Sequence, residues 1–109
     1  MKIYQGTRTN SSSVVTVKDG DYSSKLDPRF DLRNHSPTGF EWGYGGSGPA
    51  QLALAILADF SHNDQFALGN YQDFKFKVIG QIQGDEWTLT SEAIVSAMQE
   101  LKEGGPTNG

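Results

Sequence analysis

The chain has 109 residues, 9 Lys and Arg against 13 Asp and Glu, a net charge of −4 and no cysteine. That length suits one small domain, because two separate cores would each be too thin to stand alone. With 36% hydrophobic and 11% aromatic residues there is enough apolar material for one core. The composition excludes a disulfide framework, a thiolate nucleophile and a cysteine-ligated zinc site, and a pI near 4.9 argues against direct binding of nucleic acid. The longest strongly apolar run, around Leu52 to Leu57, falls far short of the ~20 residues that span a bilayer. The opening MKIYQGTRTN lacks the apolar stretch of a signal peptide. The expectation is a cytoplasmic domain over 1–103, with no membrane association and a flexible tail at 104–109.

In chain order, the first nine residues alternate Ile3 with polar neighbours and read as a short edge strand. A turn over Asn10 to Ser13 follows. Val14, Val15 and Val17 form a second strand, closed by Asp19-Gly20, and the two strands are expected to pair as an antiparallel hairpin. Between Leu26 and Arg33, Leu26, Phe30 and Leu32 share one parity and Asp27, Arg29, Asp31 and Arg33 the other, the period of an edge strand or extended segment. Pro28 rules out a central strand there. Asn34 to Gly39 is a loop, and Phe40 to Trp42 a short aromatic strand or strand-like entry.

GYGGSG at Gly43 to Gly48 precedes a helix predicted from Pro49 to Phe60, with Ser47 or Gly48 as N-cap. Only Gln51 and Asp59 are clearly polar in it, which marks it as the buried pillar of the core. Ser61 to Asp64 breaks that helix. Tyr71, Phe74, Val78, Ile79 and Ile82 then lie on one helical stripe, although Phe74, Phe76 and Val78 also fit a strand; the length of the stripe favours helix, ending at Gly84-Asp85. Thr90 caps a last helix with the apolar stripe Ile94, Val95, Met98 and Leu101 and a staple between Leu89 and Ile94. Glu92 and Lys102 suit the two ends of its dipole. The predicted fold class is α+β, a small antiparallel sheet from the N-terminal half packed against about three helices.

The candidate site is the glycine turn. Gly43, Gly45 and Gly48 match GxGxxG and a helix follows, an arrangement that brings backbone N–H groups and a helix N-terminus to an anion. A parallel strand does not follow, so a dinucleotide fold is not implied, and Ser47-Gly48-Pro49 stands where a Walker lysine would be needed. The alternative is that the glycines only let the loop pack beneath Trp42 and Tyr44. Of Phe40, Trp42 and Tyr44, a surface ring would stack a base and a buried one would fill the core. Arg29, Arg33 and His35, just upstream, are able to hold phosphates, or Asp27 and Asp31 simply pair with the arginines. His35 and His62 lack metal-ligand spacing, and no metal or cofactor is expected. Glu41, Asp59 and Asp64 offer carboxylates without a spacing that selects a pair, and Ser47 sits in only part of a nucleophile elbow, so an enzyme is the less favoured class.

The stretch from Leu26-Asp27-Pro28-Arg29 through HSPTGFEWGYGGSGPAQLALAIL resembles an uncharacterised family of short proteins from phages, plasmids and bacterial mobile elements. Its pattern is a Tyr-x-Gly strand (Tyr4 to Gly6), an F-x-W-G-Y-x-G-S-G-P turn (Phe40 to Pro49), a Tyr-Gln-x-Phe-Lys segment (Tyr71 to Lys75) and a Trp-x-Leu-Thr capped helix (Trp87 to Thr90). The resemblance implies a small accessory protein of a mobile element in a bacterial cytoplasm, and no reaction. Three functions are consistent with it. One is an anti-defence protein that sequesters a small nucleotide-like signal on Trp42, Gly43, Tyr44, Gly45, Gly46, Ser47 and Gly48 with Arg29, Arg33 and His35. A homo-oligomer would suit that function, because small chains build deep pockets at subunit interfaces. Another is an acidic inhibitor of a host defence protein. A small nucleotide hydrolase is the third and least supported.

Overall fold

Alternation between inward apolar and outward polar residues builds the first half of a sheet. β1 (Lys2–Arg8) buries Tyr4 and Gly6 while Gln5 and Thr7 face solvent. β2 (Ser13–Asp19) buries Val15 and Val17 and exposes Val14 and Lys18. The two pair antiparallel, Tyr4 opposite Val17 and Gly6 opposite Val15, as expected of a hairpin. The computed structural model describes residues 1–10 and 12–103; Ser11, within the turn expected over Asn10 to Ser13, and the expected tail at 104–109 lie outside the described residues.

Two further strands complete the sheet. β3 (Tyr22–Lys25) returns from the Asp19-Gly20 turn along β2, and β4 (Glu86–Thr90) pairs with the other side of β1. The order is β3-β2-β1-β4, antiparallel throughout. β1 is therefore an interior strand, not the edge strand that its polar alternation suggests. The partner that covers it, β4, comes from the far end of the chain. Arg8 extends that joint through its N–H to the Asp85 carbonyl at 2.7 Å.

The segment from Leu26 to Arg33 is not a strand. Leu26 still bonds Val15 through its N–H (3.0 Å) and is buried, but Arg29 adopts a left-handed φ of 58° and the chain turns. The Asp27 carboxylate stabilises this by accepting the Arg29 N–H at 2.9 Å. A turn there destroys the period-two parity. Asp31 then faces Arg29 as an ion pair at 3.0 Å, not as the next rung of a ladder. Phe40 to Trp42 likewise runs without strand pairing.

α1 (Ser47–Ser61) is buried all along Gly48 to Ala58, as its apolar composition requires. Its N-cap is Gly46, one residue before the expected Ser47 or Gly48, and His62 closes it in the left-handed conformation. α2 (Asp64–Lys77) begins earlier than the stripe from Tyr71 suggests, because Asn63 caps it by accepting the Phe66 N–H at 3.0 Å. It also ends earlier. A 3-10 turn at Ile79–Gln81 carries the apolar stripe onward with Ile79 buried, which is why the pattern reads as one helix to Gly84. α3 (Ser91–Glu103) starts where Thr90 Oγ1 accepts the Ala93 N–H at 3.1 Å. Glu92 and Lys102 occupy its first and last turns.

The core joins Tyr4, Val15 and Val17 of the sheet to Leu52, Leu54, Ile56 and Leu57 of α1, Phe74 of α2, Ile79 and Ile94. Two polar residues of α1, Gln51 and Asp59, tie it to the rest of the chain. Asp59 Oδ2 accepts from Tyr4 Oη at 2.7 Å and from Lys2 Nζ at 3.0 Å, fixing the C-terminal end of α1 to β1. Burial, then this hydrogen bond to a carboxylate, pushes the Tyr4 phenol well above its usual range. Among the described residues no helix is long and apolar enough to cross a membrane.

Candidate functional site

The glycine turn sits at the N-terminal end of α1, and its residues divide by direction. Trp42 is 1% exposed, its Nε1 donates to the Gly84 carbonyl at 3.0 Å, and the Arg8 guanidinium lies 4.5 Å above its ring. Phe40 is also buried. Trp42 is thus a core residue and not available to stack a base. Tyr44 is 52% exposed and is the aromatic of the three that presents a face to solvent.

Packing explains Gly43. Its φ is 91°, its N–H donates to the Ile79 carbonyl at 3.0 Å, and a Cβ there would come within 2.9 Å of the Ile82 carbonyl oxygen. Beyond it, Tyr44, Gly45 and Ser47 are exposed. Gly46 caps α1 without any side-chain hydrogen bond, and no acidic residue lies in the first turn. The N–H groups of Ser47 and Gly48 have no acceptor among the described residues. They are the orphan donors at the positive end of a 15-residue helix.

A cleft of about 400 Å³ opens beside these groups, with Ser13, Ser36, Thr38, Glu41, Tyr44 and Ser47 in its lining. Ser36 is 8% exposed and its hydroxyl makes no hydrogen bond among the described residues. It is also not sealed, since Trp87 Nε1 is the one fully buried side-chain polar atom left without a partner there. Ser36 is thus a polar residue of the cleft lining with no side-chain partner among the described residues. Glu41 is the acid of this wall, and both of its oxygens are engaged. Oε1 accepts from Arg8 Nε and Nη2 at 3.0 and 2.8 Å, and Oε2 accepts from Ser13 Oγ at 2.9 Å. Paired in this way, its charge is offset by the guanidinium.

Gln51, fully buried on α1, holds the loop that carries Ser36. Its Oε1 accepts the N–H groups of His35 (2.7 Å) and Ser36 (3.2 Å), while its Nε2 donates to the carbonyls of Pro28 (2.6 Å) and Arg33 (3.0 Å). One side chain so anchors the whole 28–36 loop. His35 then turns towards α2, where Nε2 lies 2.6 Å from Tyr71 Oη. Burial, and then the nearby charges of Arg33 and Lys75, hold its imidazole below the ordinary value of 6.5.

That depression has a sign. The unfolded chain protonates His35 before the folded one does, so stability is full above 6.5 and falls as pH drops from there through the folded value. Urea unfolding between about pH 8 and about pH 5 is expected to show this loss in the native protein. The loss should be smaller in His35→Gln, and an equal pH dependence in the two would refute the assignment.

The expected anion-binding residues are only partly brought together. Arg33 is exposed and lies near His35. Arg29 is not at the site. It pairs with Asp31 and Asp64 and lines a separate cleft with Asp27, Asp59 and His62 at the C-terminal end of α1, about 20 Å away along the helix. Ser36 and Lys75 were not among the residues expected at the site. The Tyr71 to Lys75 motif signals α2, but only folding brings it to His35.

One protein-family model, described as a family of unknown function (DUF6166), matches residues 4–100. No curated protein and no solved structure matches the chain.

Proposed function

For a chain that belongs to the DUF6166 family of unknown function, we propose a stoichiometric binding role. The protein holds a small nucleotide-like molecule at the head of α1 and sequesters it, as an anti-defence accessory of a phage or mobile element. The mobile-element context comes from the resemblance of the Phe40 to Pro49 turn to proteins of such elements. The observation that carries the binding role is the pair of uncapped N–H groups of Ser47 and Gly48 beside a cleft whose lining includes Ser13, Ser36 and Thr38. Backbone donors at a helix N-terminus suit a phosphate, hydroxyls suit a ribose or further phosphate oxygens, and Tyr44 offers a ring to a base. The acid of the cleft wall is kept from the phosphate, because Glu41 is held by Arg8 and Ser13.

A thermal-shift screen against mononucleotides, cyclic dinucleotides and ADP-ribose tests this. A ligand at a hundred times its Kd is expected to stabilise the protein by about 2.7 kcal/mol. The shift should be lost in Tyr44→Ala, whose exposed side chain leaves the core intact. No shift with any of these ligands would overturn the reading. A second reading, an inhibitor that binds a defence protein, draws on an apolar groove between α2 and α3 that includes Phe60, Phe66, Val95 and Met98. A stable complex with a defence effector, broken by Met98→Glu and indifferent to Tyr44→Ala, would favour it.

A further inference from the structure

Lys75 is 7% exposed, and among the described residues its ammonium forms no hydrogen bond and no ion pair. Its recorded contact is with the ring of Phe76, 4.3 Å from the centroid. A cation–π contact replaces only part of the hydration that burial removes from an ammonium. The group is not sealed off, since it is absent from the fully buried polar atoms that lack partners. It is therefore a lysine buried along most of its length, whose ammonium keeps some solvent contact and has no counter-ion among the described residues.

Its position ties it to the site at the head of α1. The Phe76 ring beneath the ammonium packs against Gly45, where an added Cβ would lie 3.4 Å from it. The Lys75 carbonyl and the Tyr44 carbonyl meet over Gly80, each 3.2 Å from the place of its missing Cβ. His35 feels both Lys75 and the exposed Arg33, whose charges disfavour a proton on it. Glu41 is the site's acid and is already matched by Arg8. In a chain of net charge −4, this end of α1 gathers Lys75 and Arg33, neither of them in an ion pair among the described residues, and the positive end of a helix dipole.

We propose that Lys75 supplies the second anion-binding point of the site, so that the ligand carries two phosphate groups, one on the Ser47 and Gly48 N–H groups and one on the Lys75 ammonium. This rests on the binding role proposed above and narrows it from any nucleotide-like anion to a bisphosphate, with Phe76 and Tyr44 flanking the connection between the two points.

Titration calorimetry with orthophosphate, ADP and a cyclic dinucleotide, on native protein and on Lys75→Met, tests it. At least one of the two bisphosphates is expected to lose about ten- to a hundredfold in affinity in Lys75→Met, with Lys75→Arg restoring most of it. Orthophosphate, held by the helix N-terminus, should stay within about twofold. A folded Lys75→Met that binds the bisphosphates as tightly as native protein overturns the inference while leaving the α1 site standing. If native protein binds none of the three probes, the α1 site itself fails and the inference with it.

Discussion

Gln51→Leu is expected to destabilise the protein by about 4 kcal/mol, read from urea unfolding. Leucine is close to glutamine in size, so the loss is polar and not a cavity. Two N–H groups and two carbonyls, those of His35, Ser36, Pro28 and Arg33, lose their partner at once. Each buried group left without a hydrogen bond costs about 1–3 kcal/mol, reduced where water reaches it. Against a usual total of about 5–15 kcal/mol, the variant should be close to its limit. It should also lose ligand binding before it unfolds, because Ser36 and His35 are positioned by the same side chain. A loss below about 1 kcal/mol would mean that the 28–36 loop holds its shape without Gln51.

Gly6→Ala is expected to cost about 3 kcal/mol. Trp87 on β4 lies directly opposite Gly6 on β1, and its indole covers the glycine so closely that a methyl group would overlap the ring. An indole cannot yield as a flexible chain end does. Trp87 is also braced edge-on against Trp42, with centroids 5.6 Å apart and planes at 82°. Relief would require Trp87 to leave, which opens the joint between β1 and β4. The double variant Gly6→Ala/Trp87→Ala should therefore lose less than the two single losses added together. Simple additivity would show that the ring already has room to move.

Both residues show what was legible in the chain. Gln51 and Asp59 stand out as the polar positions of an otherwise apolar helix, and each makes the tertiary hydrogen bonds that fix one end of α1. The buried nature of α1 and the Thr90 cap follow from local chemistry, and they are found as expected. Gly6 was visible as part of a motif, but its reason lies on β4, about eighty positions away, and no local pattern carries that pairing.

The errors have the same cause. Arg29 reads as an anion-binding residue next to His35 until a left-handed turn sends it to Asp64. Trp42 reads as a stacking platform until the Gly84 carbonyl and Arg8 enclose it. For this reason Trp42→Ala is a poor probe of the site, since removing a buried tryptophan would destabilise the core by about 3–5 kcal/mol. Tyr44→Ala is the cleaner test. Lys75 carries no signal as a single residue; its lack of an acid partner among the described residues exists only in the folded chain.

The central claim is that the uncapped head of α1 is where a phosphate group binds. It is tested most directly by following backbone amide resonances while orthophosphate and then ADP are added. The account requires saturable shifts centred on the Ser47 and Gly48 amides, extending to Ser36 and Tyr44 with ADP. Shifts centred instead on Arg29, Asp59 and His62 at the other end of α1, or none at either end, would contradict it.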